Sequence, residues 1–241
     1  MRYLTFASRN RKEILRDPLT LLFGIGLPII IMFLFSMMQK NIPFDLYNIE
    51  NLTPGVIVFS FSFLTLFSGM LISKDKSSSF LMRIFASPMS ASDYITGYAL
   101  PLLPVAILQT VICFISAFFL GLSFNANVLV ATFILIIIAM LYIGFGLLLG
   151  TYFTDKQVGG IFAIFVNLTT WLSGTWFKLD MIGGTFKTIG YALPFAHAVD
   201  ATRFALSGEY RDLVVPLLWV VGYTIIIFVI AIWGFKRKMK S

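Results

Sequence analysis

Charge, histidine and cysteine are all scarce in this sequence. Charged side chains make up 12% of the 241 residues, against about a quarter in a typical soluble domain, while 59% are hydrophobic. With a mean hydropathy of +0.91, most of the chain needs an apolar solvent, which sets aside a soluble globular fold. One cysteine, Cys113, excludes an intrachain disulfide. One histidine, His197, leaves no Cys/His set for a zinc site. No Gly-x-x-x-x-Gly-Lys-Ser/Thr run occurs, and no polar segment is long enough for a nucleotide-binding domain. A membrane Ser–His protease would want Gly-x-Ser-Gly on a helix. The nearest run, Trp171-Leu172-Ser173-Gly174, lacks the first glycine.

What is present is long apolar runs. A crossing helix needs about 20 mostly apolar residues. Six stretches meet that length: Leu19–Met38, Pro54–Ser73, Tyr98–Leu120, Val128–Gly150, Val158–Phe177 and Leu213–Phe235. None contains Asp, Glu, Lys or Arg. Asp17-Pro18 and Thr53-Pro54 each pair an N-cap residue with proline at the first helical position, and Asp155 and Asp212 can cap the fifth and sixth spans. Gly146 and Gly150 form a small-xxx-small pair, expected to serve packing within the chain rather than a dimer seam.

The net charge of +7 is gathered in short clusters between the runs, which reads as membrane topology and not as a nucleic-acid face. Thirteen basic residues fall on one side, including Arg2, Arg9, Arg11, Lys12 and Arg16 before the first span and Lys236, Arg237, Lys238 and Lys240 after the last. Five fall on the other: Lys40, Lys178, Lys187, Arg203 and Arg211. The positive-inside rule therefore places both termini in the cytoplasm. The basic start has no evident cleavage site after it, so the chain is expected to insert whole. Residues 1–18 read as an amphipathic helix lying on the membrane, with Tyr3, Leu4, Ala7, Ile14 and Leu15 on its apolar side, where Arg11 intrudes.

Ion-coupled carriers place ionisable groups inside the bilayer. These spans hold none, and their strongest polar groups are Gln109 and Asn167. Energy must come from another chain, or movement through this one is passive.

Two connections carry more information. In the cytoplasmic loop 74–97, Phe80, Leu81, Ile84 and Phe85 recur at helical spacing, Pro88 ends that short helix, and Ser92 with Asp93 can start another. A firm amphipathic helix there suits docking on a partner, or rest on lipid. The external connection 178–212 is apolar from Ile182 to Phe195 but broken by Gly183, Gly184, Gly190 and Pro194. It is too interrupted for a span and too apolar for a free loop. Asp200 and Arg203, three residues apart, can pair on one helix face.

The run Arg83-Ile84-Phe85-Ala86-Ser87-Pro88-Met89-Ser90 resembles the coupling motif of ABC type-2 exporter permeases, with Asp75 standing where that family usually has glutamate. Leu193-Pro194-Phe195-Ala196-His197-Ala198-Val199-Asp200-Ala201-Thr202-Arg203 is similar to the same family's segment before its last span. The resemblance covers nearly the whole chain. It implies an all-α membrane protein of six transmembrane helices, a single permease domain over 1–241, with an amino-terminal interfacial helix, a cytoplasmic coupling helix and an extracellular re-entrant segment that includes Pro194, Asp200 and Arg203. It implies that Phe80, Leu81, Arg83, Ile84, Phe85, Ser87 and Pro88 meet a cytoplasmic ABC ATPase. That partner is expected in two copies, with ATP and Mg bound there and no cofactor on this chain. A second permease, the same chain or a related one, completes the expected assembly in a cell membrane, expected to be bacterial. The family's path runs along the first, second and fifth spans. The fifth offers Phe165, Asn167, Thr169, Thr170 and Trp171, an uncharged aromatic wall suited to a hydrophobic or amphiphilic drug, antibiotic peptide or lipid. A passive channel or scaffold without ATP coupling is the alternative reading, and a sensing or lipid-remodelling complex stands beside bulk export.

Overall fold

The computed structural model of the chain describes residues 2–42, 47–78, 80–81 and 89–239. Among them the regular structure is helical throughout, with no strand. Helix α1 spans Arg2–Leu15, α2 Pro18–Gln39, α3 Ile49–Ser60 and α4 Ser62–Ser77. Farther along the chain come α5 (Ala91–Ala99) and α6 (Leu103–Phe119), joined by a 3-10 turn at Leu100–Leu102. Then follow α7 (Ala126–Tyr152), α8 (Asp155–Leu172), α9 (Gly184–Ala192), α10 (Pro194–Ser207) and α11 (Tyr210–Lys238).

Among the described residues, five helical stretches are long and apolar enough to cross a bilayer: Leu22–Gln39, Ile49–Ser77, Ala91–Phe119, Ala126–Tyr152 and Tyr210–Lys238. The chain is thus a multi-pass membrane protein. The remaining expected span, 158–177, is covered mainly by α8, whose 18 residues open with Asp155, Lys156 and Gln157 and which is not among those five.

Helix starts depart from the sequence expectation in several places. The second stretch begins at Ile49, after Asn48, so Pro54 lies inside α3 and Thr53 Oγ1 donates to the Ile49 carbonyl at 2.6 Å instead of capping. Pro54, the sixth residue of α3, has no N–H to offer the Glu50 carbonyl, so the ladder loses one bond there. Thr154, not Asp155, is the N-cap of α8, and its N–H donates to Gln157 Oε1 at 3.0 Å. The last helix opens at Tyr210, which puts Asp212 in its first turn.

Helix α7 is the hub, packed on α4, α11, α10 and α6. Its closest neighbour is α4, and the approach depends on missing side chains. A Cβ on Gly146 would overlap Ser68 Oγ and the Thr65 carbonyl, and one on Gly150 would lie 2.5 Å from the Gly69 carbonyl. The near backbones let Thr65 Oγ1 donate to the Tyr142 carbonyl at 2.8 Å and Ser68 Oγ to that of Ile143 at 3.2 Å. In a bilayer, where apolar burial does not drive helices together, such close packing and interhelical hydrogen bonding are the main attractive terms. The small-xxx-small pair is therefore a contact within the chain.

The α3–α4 stretch bends at Phe61, whose N–H is shared between the carbonyls of Ile57 and Val58 at 3.3 and 3.2 Å. Ser60 Oγ bonds back to Ile57, a local competitor for the ladder. Buried Gln109 on α6 donates to the Gly24 carbonyl of α2 at 2.9 Å and lies 3.5 Å from that of Ser60, tying three helices near this bend.

Gly146→Leu is expected to destabilise the detergent-solubilised protein by about 3 kcal/mol or more, because overpacking here meets backbone. Gly159→Ala, where a Cβ meets open space, should be neutral or slightly stabilising. Thermal unfolding followed by size-exclusion chromatography distinguishes the two.

Candidate functional site

The end of the bundle that carries both termini is organised around one buried carboxylate. Asp75, in the last turn of α4, is 2% exposed. Arg9 of α1 grips it with both guanidinium nitrogens at 2.6 and 2.8 Å, and Tyr98 Oη donates to it at 2.9 Å. Arg9 also pairs with Glu13 at 2.7 Å and lies 4.4 Å from the centre of the Phe80 ring. A bidentate, charge-assisted contact of this kind is directional as well as strong. Burial alone would lower the Arg9 pKa, but hydrogen bonding and charge from Asp75 outweigh it and raise the value.

The same contacts hold α1 against the bundle. Its buried side is Phe6, Ala7, Asn10 and Ile14, while Leu4 and Leu15, expected on the apolar side, are 45% and 62% exposed. The reason is a polar residue. Asn10 Nδ2 donates to the Gly97 carbonyl at 3.0 Å, and Gly97 leaves room for the Phe6 ring, which packs edge-on to Tyr98. α1 is thereby docked on α5 by protein contacts. Lys76 closes the same region: its Nζ bonds the carbonyls of Gly150, Thr151 and Phe153 at the end of α7, a cation where the helix dipole is negative.

Of the expected coupling residues, Phe80 and Leu81 are helical, Leu81 is buried, and Phe80 sits under Arg9. Arg83, Ile84, Phe85, Ser87 and Pro88 lie outside the described residues. Beyond them a capping box starts α5, with Ser90 N–H on Asp93 Oδ2 at 2.9 Å and Asp93 N–H on Ser90 Oγ at 3.2 Å. Ser90 is the cap, two residues before the expected Ser92.

The five residues named on the fifth stretch divide between two faces of α8. Asn167 and Trp171 are exposed, alongside Ile164 and Leu168. Phe165 packs inward on Phe145 and Phe195 at ring separations of 5.2 and 5.6 Å, and Thr169 is buried. Thr170, between the two, bonds its hydroxyl to the Val166 carbonyl.

At the opposite end, Pro194 is the first residue of α10, and Asp200 pairs with Arg203 at 3.4 Å as the spacing suggested. Tyr191 Oη donates to Asp200 at 2.8 Å, and Arg203 donates to the Gly174 carbonyl at 2.8 Å. Gly174 has φ +70°, a conformation few other residues accept there. Burial, then the Asp200 charge, raise the Tyr191 pKa, so the phenol stays protonated and keeps donating. His197 stacks on Trp219 with ring centres 4.9 Å apart, and its Nε2–H donates to the Tyr191 carbonyl at 3.0 Å. Its Nδ1 is buried without a partner. Among the described residues no His/Cys/Asp/Glu group could hold a metal ion.

This is a helical multi-pass membrane protein with a charge-locked joint at its terminal end and a hydrogen-bonded pair of short helices at the other. The chain matches the family described as ABC-2 type transporter over residues 1–206 and belongs to it. It is 24% identical over 223 residues to the transport permease ycf38 of Pyropia yezoensis, covering 86% of this chain and 75% of that one. It is 25% identical over 205 residues to the Cyanophora paradoxa protein of the same name, covering 81% and 70%. ABC transporter G family member 20 of Dictyostelium discoideum is 24% identical over 200 residues, covering 80% of this chain and 27% of that longer protein. Family membership makes the chain a permease-type membrane domain of an ABC transporter and implies association with an ABC ATPase.

Arg9→Ala is expected to destabilise more than Asp75→Asn, by up to about 3 kcal/mol, because it strands a buried charge whereas the reverse change frees a half-exposed one. Comparative thermal melts of the two variants check the order. Burial first, partly offset by the Tyr191 carbonyl and Asp200, lowers the His197 pKa below the ordinary 6.5. The unfolded chain then binds the extra proton first, so stability is full above about pH 6.5 and falls as pH drops from there through the folded value. His197→Gln should flatten that acid dependence in melting curves at stepped pH.

Proposed function

We propose that this chain is the permease subunit of an ABC exporter that moves a hydrophobic or amphiphilic compound outward, using ATP hydrolysed with Mg on a separate ATPase chain. The observation that carries the reading is the open face of α8. Ile164, Leu168 and Trp171 are 63%, 54% and 55% exposed there, Asn167 is the polar group among them, and no charge follows Lys156 in the helix. A surface of aromatic and aliphatic groups with one hydrogen-bonding amide suits an amphiphile and offers nothing to an ion.

In this reading α8 completes a sixth crossing, both termini are cytoplasmic in keeping with the basic clusters, and α9 and α10 dip into the outer leaflet as a re-entrant pair. The open faces of α2 and α8 meet a second permease, the same chain or a related one, and the path runs between them. Two ATPase subunits dock on the coupling segment from Phe80 to Pro88. The joint of Arg9, Asp75 and Phe80 supports this, because it fixes the root of that segment to α1 and α4. The host is proposed to be a bacterial inner or plasma membrane.

Phe85→Asp is expected to abolish co-purification of the ATPase while membrane insertion is retained; undiminished co-purification removes the docking assignment. Alanine at both Asn167 and Trp171 should lower transport of an amphiphilic dye in vesicles several-fold. Unaltered transport of every compound tested rules out that lining.

A further inference from the structure

A cavity of about 630 Å³ opens at the end of the bundle remote from the termini. Five separated parts of the chain wall it: the start of α3, the α6–α7 turn, the end of α8 with the 3-10 turn at Leu179–Met181, α9, and α10 with the residues after it. That volume is in the range of small-molecule sites.

Its walls are cross-tied. Asn127 at the start of α7 donates to the Leu206 carbonyl at 3.1 Å and accepts from Tyr210 Oη at 2.7 Å. Arg203 ties α10 to the end of α8, and Tyr191 ties α9 to α10. These bonds engage the Asp200–Arg203 pair, leaving Arg203 Nε buried without a partner, and Asp180 is held by Lys187. What is left over is specific. Glu50, Glu209 and Lys178 line the cavity, are exposed, and make no ion pair among the described residues. Two free carboxylates thus stand on separate walls with one free ammonium.

The rim is apolar. Phe124, between the lining residues Ser123 and Asn125, is 77% exposed, and Met181 and Ile182, directly after Asp180, are 67% and 53% exposed. A polar, charged hollow beside exposed apolar side chains matches an amphiphile whose head enters the hollow and whose chain stays outside.

The geometry points to a binding site for a zwitterionic head group that carries a primary ammonium and a phosphate. Glu50 and Glu209 receive the ammonium and Lys178 the phosphate. Both halves are satisfied by charge-assisted hydrogen bonds that no described residue occupies. The approach from the outside rests on the export reading; the binding itself does not.

Soluble glycerophosphoethanolamine is the probe, titrated calorimetrically into the full chain in phosphatidylglycerol nanodiscs, without ATP. Saturable binding of one probe per chain is expected, with glycerophosphate alone and ethanolamine alone each at least about tenfold weaker. Glu50→Gln with Glu209→Gln should erase the advantage over glycerophosphate, and Lys178→Gln the advantage over ethanolamine. All three positions are exposed, and unchanged melting temperatures verify the fold. If phosphatidylethanolamine added to the discs displaces the probe, the membrane supplies the ligand. If it does not, the aqueous side does, and either result supports the site. Absence of saturable binding, halves that bind as well as the whole, or variants that bind like the parent overturn it. Loss of ATPase association with binding intact would remove the export reading and leave this site standing.

Discussion

The contact on which the rest of the structure depends is the backbone-to-backbone approach of α4 and α7. Lipid gives helices no hydrophobic reason to associate, so close van der Waals contact and hydrogen bonds must do it. Gly69, Gly146 and Gly150 bring the two main chains together, and Thr65 and Ser68 then reach carbonyls on the other helix. With this axis set, α10 and α11 pack on the other side of α7, and α8 lies against α4. The bend at Phe61 lets α3 lean toward α2 and α6, where Gln109 holds the three together.

Each end of that frame uses charge differently. At the terminal end, Asp75 is enclosed by Arg9 and Tyr98, which ties α1, α4 and Phe80 together. At the other end the charges are split between those consumed in tying short helices together and those left facing a cavity.

The apolar stretches were legible because freedom from Asp, Glu, Lys and Arg over some 20 residues is a strong, one-dimensional signal. The Asp200–Arg203 pair was legible because i and i+3 neighbours meet on any helix. The buried side of α1 was not, since it is set by Asn10, a residue whose burial makes sense only once the Gly97 carbonyl is opposite it. Nor was the Arg9–Asp75 grip, formed across 66 positions of sequence. A single acid between Lys74 and Lys76 at the end of an apolar run was the available sign. The start of α3 was misplaced because Thr-Pro marks a helix start only when no earlier residue can begin one. The cavity was hidden for a simpler reason: its walls come from five segments that only the fold brings together.

The most direct test of the ATP-driven permease is hydrolysis by the complex of this chain with its partner ATPase, reconstituted in lipid nanodiscs. The account predicts a stable complex whose ATP turnover depends on the permease and rises with an amphiphilic cargo. An ATPase that neither binds the chain under gentle solubilisation nor changes its turnover in the chain's presence would contradict it and bring the passive channel or scaffold forward.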